Sequence, residues 1–220
     1  MKKGYLPVKR LFDVVVSLIA IVVFFIPWII ICVIIRIQSP GPALFKPERV
    51  GKDGKIFILY KFRSMRVDSG AIHATTLRSD PRIFPFGAFL RKSKLDETPQ
   101  FINVLKGDMS VVGPRPEDKV NSDKLYAGKY KEILTVKPGL SSPASLYDYT
   151  HGENCYDNEE DYVKKFYHKK LDVELYYVKH RNAIYDLQIV WRTAVIIIQM
   201  VCGKKEFKEP KEGKMAETVD

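Results

Sequence analysis

The longest hydrophobic stretch runs from Val14 to Ile35, VVVSLIAIVVFFIPWIIICVII, 22 residues without a charge. As a helix rising about 1.5 Å per residue it reaches about 33 Å, against a bilayer hydrocarbon core of about 30 Å. It is too long for a secretory leader, and no small-residue cleavage site follows before Arg36. Pro27 stands near its middle, where a proline ring disrupts the helical ladder and bends the axis. Both flanks are basic: Lys2, Lys3, Lys9 and Arg10 precede it, and Arg36, Lys46, Arg49, Lys52 and Lys55 follow. Positive flanks stay in the cytoplasm, so a segment that enters, turns at Pro27 and leaves by the same face satisfies both. A kinked helix crossing the bilayer also tolerates the proline, and the pattern alone leaves these two arrangements open. In KRLFD, Lys9 and Arg10 stand where they can meet lipid phosphates, with Asp13 pairing with one of them, and a solvated helix start is the plainer alternative.

Beyond SPGPALF (39–45), a Pro/Gly loop that marks a boundary, the periodicity changes. ERVGKDGKIFILYKFRSM predicts a β-hairpin turning at Asp53-Gly54. Residues 69–82 are polar and predict a loop, and RIFPFGAFLRK predicts a short helix near 86–92. Thr98 and Pro99 predict the cap and first position of a further helix that Gly107 ends. MSVVGPRP predicts a short buried strand entering a rigid loop. Asp157 to Glu160 resembles a capping box, followed by Val163, Tyr167, Leu171, Leu175 and Val178 at helical spacing. Tyr185–Val201 predicts a last helix, apolar except for Gln188, Arg192 and Gln199, too short between charges to span a bilayer. It is either a core helix or lies in the interface with Trp191 near the headgroups. The expected class is α/β of an α+β-like kind. It comprises a membrane segment with its basic flank (1–38), one domain (39–203) and a charged tail without hydrophobic period (204–220), predicted disordered.

Composition adds two constraints. With 46% apolar and 28% charged residues the chain is globular, and a net charge of +10 points to an anionic partner. Cys32, Cys155 and Cys202 have no metal-ligand spacing, which disfavours a disulfide framework and fits a reducing compartment. Nucleic acid is disfavoured as the partner: neither a helix-turn-helix nor interleaved aromatics are present to read it.

Three motifs carry candidate chemistry. SKLDETPQF places Asp96 and Glu97 side by side among Arg91, Lys92 and Lys94. Adjacent carboxylates repel, and one tends to hold a proton unless cations intervene. With Arg91 upstream, Arg115 downstream and a helix start at Pro99, both can stay ionised, one to attack phosphorus and the other to hold Mg²⁺. A lone acid pair at a helix start is more often an ordinary N-terminal preference. In VVGPRPE, Pro114 and Pro116 fix Arg115 for bidentate phosphate contact, where a surface turn is the plainer alternative. In YKFRSMRVD, strand alternation sends Lys61 and Arg63 to one face, where the pair could bind a diphosphate or simply form a basic strand edge. HGENCYDNEED, with His151, Glu153 and Cys155, has the wrong spacing for zinc and reads as a loop; His73, His168 and His180 read as surface residues.

The order of these pieces resembles the bacterial sugar transferase family, the monotopic phosphoglycosyl transferases. It runs KRLFD, apolar segment with central proline, SPGP, ERVG, KFRSM, DPRI, LRKSKLDETPQFINVLKGDMSVVGPRP, KPGL and DLQIVWRT. The likeness covers roughly residues 7–200, and the Leu90–Pro116 block is its most specific part. It implies a re-entrant membrane hairpin broken at Pro27, attached to a minimal catalytic domain. It also implies an Asp96–Glu97 dyad in which Asp96 forms a phospho-sugar ester and Glu97 helps hold Mg²⁺. Arg91 and Arg115 would lie near the phosphates. The implied donor is a UDP-sugar and the implied acceptor a polyprenyl (undecaprenyl) phosphate, with UMP released at the cytoplasmic face of the bacterial inner membrane. Inner-leaflet lipids are expected partners, and a homo-oligomer is allowed. The chain departs from the family pattern at Ile26-Pro27, where Ser-Pro is common, and after KPGL, where it runs SSPASLYDYTHGE. The competing readings are a basic lipid-binding protein without catalysis and a phosphatase using the same aspartate.

Overall fold

The computed structural model describes residues 4–67, 81–152, 168–204, 206–208 and 211–215. The first element, α1 (Tyr5–Gln38), is one continuous α-helix with Pro27 inside it. The turn expected at Pro27 is therefore not a break in helical structure: one proline removes one ladder bond, which bends a helix more readily than it ends one. Asp13, Ser17, Ala20, Phe24, Trp28, Ile31 and Ile35 are buried or half-buried at steps of three or four, so one stripe of the helix faces the rest of the protein. The opposite side, including Leu18, Val22, Phe25, Ile29 and Val33, is exposed and apolar.

Both ends of α1 are tied to the same body. At the start, the Tyr5 hydroxyl and Lys9 Nζ donate to Asp186 (2.8 and 2.7 Å), and Arg10 donates to the carbonyls of Val104 and Leu105. Asp13 Oδ1 accepts from Ser110 Oγ and the Val111 N–H (3.0 and 2.9 Å). Toward its C-terminus, Trp28 Nε1 donates to Thr98 Oγ1 (2.9 Å), and Ile31 and Ile35 pack with Phe62, Phe84 and Leu90. The expectation that Lys9, Arg10 and Asp13 meet lipid phosphates is corrected. Each is taken up by a partner inside the protein, Asp13 buried and Lys9 and Arg10 half-buried.

The predicted hairpin is present in its first half. Strands β1 (Leu44–Phe45), β2 (Glu48–Val50), β3 (Ile56–Ile58) and β4 (Lys61–Phe62) follow α1. β2 pairs antiparallel with β3 around a tight turn in which Asp53 and Gly54 take positive φ. The chain then leaves the hairpin, and β4 pairs with β1. The Asn103 side-chain amide makes the junction: it accepts from the Tyr60 N–H (2.9 Å) and donates to the Ile58 carbonyl (2.7 Å).

Helix α2 (Pro85–Ser93) matches the prediction, and Gly87 lets it lie on the backbone of Ser64, where a Cβ would stand 2.1 Å from the carbonyl oxygen. Helix α3 (Gln100–Lys106) ends at Gly107 with φ 95°, as expected. Strand β5 (Ser110–Val112) is fully buried and pairs in parallel with β6 (Gly139–Ser141), with α4 (Lys119–Leu125) between them in sequence. Helix α5 (Pro143–Tyr147) is capped by Ser142 and runs into a wide turn, Asp148–Gly152. Helix α6 (His168–His180) buries Leu171, Leu175 and Val178 as its spacing predicts. The predicted capping box at Asp157–Glu160, Val163, Tyr167, Glu153, Cys155 and almost all of the 69–82 loop lie outside the described residues.

Helix α7 (Ala183–Val201) starts two residues before the predicted position because Asn182 caps it, accepting from the Tyr185 N–H (3.0 Å). At 19 residues, about 28 Å, it is long and apolar enough to cross a membrane, unlike the expectation for the 185–201 segment. The tail also departs from its expected disorder: α8 (Lys211–Met215) carries Glu212 onto Arg192 and Tyr185. Val104, Met109, Val112, Leu146, Tyr177 and Ile189 form the main core. The mixed helix-and-strand architecture agrees with the expected class; among the described residues the strands make three two-stranded pieces rather than one broad sheet.

Candidate active site

The acid pair sits at a corner between two helices. Helix α2 ends at Lys94, whose backbone is left-handed (φ 55°), an unusual conformation for a residue with a side chain. A single 3₁₀ turn, Leu95–Glu97, follows and leads through Thr98 and Pro99 into α3. The predicted Thr98 cap is replaced by this continuous corner: Thr98 is itself helical, and its hydroxyl donates to the Leu95 carbonyl (2.7 Å). The corner turns both acids inward, leaving Asp96 1% and Glu97 6% exposed.

Two adjacent buried carboxylates would be prohibitively costly without cations. Lys61, at the start of β4, supplies the first: its Nζ lies 2.9 Å from Asp96 Oδ2 and 3.4 Å from Glu97 Oε1. Arg115 supplies the second, with Nη2 3.2 Å from Glu97 Oε1. The Tyr149 hydroxyl reaches Glu97 Oε2 at 3.5 Å, and Lys94 Nζ lies 3.7 Å from the centre of the Tyr149 ring. Burial alone would push the Glu97 carboxyl up. Arg115, then Lys61 and Lys94, outweigh it and hold the group well below the usual carboxylate range. The corner therefore keeps an ionised carboxylate in a water-poor place.

Arg115 is positioned by two interlocked loops. The Gly113 N–H donates to the Ser141 carbonyl (3.0 Å) and the Gly139 N–H to the Pro114 carbonyl (2.8 Å). A Cβ on Gly139 would stand 2.0 Å from the Gly113 nitrogen, so KPGL needs its glycine for GPRP to pass. The Arg115 N–H donates to Glu174 Oε1 (2.9 Å) on α6.

The structure thus gathers four of the predicted site residues, Asp96, Glu97, Lys61 and Arg115, from three separate stretches of chain. Arg63 is elsewhere: its guanidinium binds the Ser39 hydroxyl, the Ser39 carbonyl and the Pro40 carbonyl, fixing the exit loop after α1. The expected Lys61–Arg63 diphosphate pair is corrected accordingly, because the strand ends at Phe62 and alternation does not extend to position 63. Arg91 lies half-buried in the last turn of α2, with no ion pair among the described residues. Sequence reading missed Lys94, Tyr149 and Glu174 as contributors. The acid at 174 had a signal, since it shares the apolar stripe of Leu171 and Val178.

A hard divalent cation fits this donor set. Mg²⁺ takes oxygen ligands, commonly one or two carboxylates together with substrate phosphates. Asp96 Oδ1 is buried without a hydrogen-bond partner among the described residues, and Glu97 Oε2 has a long contact from Tyr149.

The protein is thus a mixed helix-and-strand fold with a long apolar N-terminal helix and a buried acid pair held by cations. The chain belongs to the bacterial sugar transferase family, whose sequence profile it matches over residues 4–200. It is 46% identical over 123 residues to a putative undecaprenyl-phosphate N-acetylgalactosaminyl 1-phosphate transferase of Bacillus subtilis (strain 168), covering 54% of this chain and 68% of that protein. It is 33% identical over 195 residues to the UDP-glucose:undecaprenyl-phosphate glucose-1-phosphate transferase of Escherichia coli (strain K12), covering 84% of this chain and 39% of that protein. To the exopolysaccharide production protein PSS of Rhizobium leguminosarum bv. phaseoli it is 36% identical over 203 residues, covering 86% and 94%. Against several curated relatives, then, the chain spans only about two fifths of their length.

Proposed function

We propose that this protein transfers a sugar 1-phosphate from a UDP-sugar to undecaprenyl phosphate, releasing UMP, at the cytoplasmic face of the bacterial inner membrane. One observation carries the reading: a buried acid pair held by Lys61 and Arg115, with one aspartate oxygen lacking a hydrogen-bond partner among the described residues. The names of the relatives supply the donor and acceptor classes. The implied place is an early membrane step in assembling a capsule, exopolysaccharide or related glycan.

In the first half-reaction Asp96 Oδ1 attacks the sugar-bearing phosphorus of the donor. A P–O bond forms to Asp96, the bond from that phosphorus to the bridging oxygen breaks, and UMP leaves with the bridging oxygen. In the second, an oxygen of the lipid phosphate attacks the same phosphorus and Asp96 leaves as a carboxylate. Lys61 holds Asp96 Oδ2, which leaves the other oxygen to attack, and the Arg115 guanidinium beside Glu97 would meet the phosphate oxygens where charge develops. Glu97, with Asp96 beside it, would hold Mg²⁺, which neutralises phosphate charge when bound. Splitting transfer into two displacements lets the water-soluble donor leave before the lipid reacts.

The two ends of α1 bear on the membrane arrangement. Arg10 and Trp28 are 18 residues apart, about 27 Å along a straight helix, yet they bind opposite ends of the seven-residue α3 and its approach. With both ends tied to one body, both flanks belong on one side of the membrane, which supports the re-entrant reading over a spanning one. The apolar outer face of α1, and Ile184, Leu187, Trp191 and Ile198 on α7, then meet lipid.

The test is UMP release by the purified protein with undecaprenyl phosphate, Mg²⁺ and a panel beginning with UDP-N-acetylgalactosamine and UDP-glucose. Acceptor-dependent UMP release lost in Asp96→Asn is expected. Release of free sugar phosphate into water instead would mark a phosphatase. Turnover that ignores both Asp96→Asn and chelation would overturn the reading.

A further inference from the structure

Glu174 lies outside the acid pair, 2% exposed in the middle of α6. Its Oε1 accepts two hydrogen bonds, from the Arg115 N–H (2.9 Å) and from Ser142 Oγ (3.1 Å). These partners begin two routes to the same carboxylate. Arg115 carries its guanidinium to Glu97 Oε1. Ser142 caps α5, accepting from the Ser145 N–H (2.8 Å), and α5 runs directly into the turn that holds Tyr149, whose hydroxyl reaches Glu97 Oε2. One buried oxygen therefore joins the two segments that grip Glu97 from either side.

We propose that Glu174 is a positioning residue that sets Arg115 and the Tyr149 segment against Glu97. The proposal rests on reading Asp96 and Glu97 as the active site. A general structural role for Glu174 would be met by any group filling its volume. The positioning role requires an acceptor oxygen at this place, because both partners are donors. Oε2 has no hydrogen-bond partner among the described residues, so a side chain with a single acceptor oxygen suffices. Burial pushes the carboxyl up to about 7, against the Arg115 amide, Lys170 and Ser142, with Glu117 adding to the rise. A neutral side chain with one acceptor is thus compatible with the site.

The experiment compares Glu174→Gln, Glu174→Ala, Arg115→Ala and the Glu174→Ala/Arg115→Ala double variant in the full-length protein. UMP release and amide hydrogen exchange over residues 113–117 and 142–149 are measured. Glu174→Gln, which keeps an acceptor, is expected within about 3-fold of wild-type kcat, whereas Glu174→Ala falls about 10- to 30-fold with donor KM changed less than about 3-fold. In the Arg115→Ala background the same Glu174→Ala change should cost less than about 3-fold, the non-additivity expected of residues acting through one another. Exchange at both segments should quicken in Glu174→Ala and not in Glu174→Gln. Ile133→Ala, which removes a buried side chain packed against Leu171 and Leu175 of the same α6 while leaving Glu174 in place, should lower Tm and leave kcat at 25 °C unchanged.

Equal factors in both backgrounds, or loss of activity in Glu174→Ala that only tracks Tm, would overturn the proposal. Wild-type exchange in Glu174→Ala would overturn it without reference to turnover. Failure of the active-site reading shows separately, as an Asp96→Asn variant that still turns over.

Discussion

Glu97 and Glu174 are the same chemical group, buried to a similar degree and joined through Arg115, yet their carboxyls are driven in opposite directions. Glu97 faces the Arg115 guanidinium, Lys61 and Lys94, and is held ionised well below the usual range. Glu174 meets the amide of the same arginine, the Ser142 hydroxyl and Lys170, and burial still pushes it up to about 7. Burial is common to both; the difference lies in how many full charges are in reach. The protein thereby separates a carboxylate held by full positive charges from a carboxyl that holds backbone and hydroxyl donors.

Neutralising each acid in turn tests that comparison most strongly. Glu97→Gln is expected to lower kcat by about 10³-fold, while Glu174→Gln stays within about 3-fold; comparable losses at the two positions would erase the distinction. Arg115→Ala removes the guanidinium from Glu97 but leaves a backbone amide for Glu174, so it should cost about 10²-fold in kcat with little change in Tm. A loss confined to stability would place Arg115 in the scaffold alone.

The pH dependence of stability sharpens the comparison on the Glu174 side. Its folded value, about 7, lies above the ordinary glutamate value of 4.5, so its contribution is fully present below about 4.5 and is lost as pH rises through about 7. Glu174→Gln, which cannot ionise, should be more stable than wild type above pH 7 by on the order of 2 kcal/mol, with the gap closing toward pH 4.5. Urea unfolding in detergent at pH 5 and pH 8 reads it, and an equal gap at both would contradict the shift. The smallest effect is expected at the membrane helix: Trp28→Phe keeps the ring but loses the bond to Thr98, costing about 1 kcal/mol without altering kcat.

How far the sequence disclosed this architecture depended on whether the signal was local. The α2 helix, the Gly107 stop, the Asp53-Gly54 turn and the buried SVV strand all follow from periodicity and turn chemistry within a few residues. The acid pair and Arg115 were legible because their motifs carry constrained residues. Long-range placement was not legible. Arg63 reads like Lys61 along the strand, yet the exit loop after α1 claims it. Lys9, Arg10 and Asp13 read as lipid-facing because nothing within the first 38 residues reveals that Asp186, Val104, Leu105 and Ser110 fold against them. Pro27 signalled a break, while the structure keeps the helix continuous and fastens both ends to one body. Lys94 was visible only as charge, since its left-handed backbone arises from the corner it occupies.

Covalent capture at Asp96 tests the central claim most directly. The full-length protein is mixed with UDP-sugar radiolabelled in the sugar, without lipid acceptor, quenched rapidly, digested and read by mass spectrometry of the peptide containing residues 95–100. The account predicts a sugar-phosphate adduct on Asp96 that forms with stoichiometric UMP and disappears on adding undecaprenyl phosphate. UMP produced only when the lipid is present, with Asp96 unmodified under every quench, would contradict it.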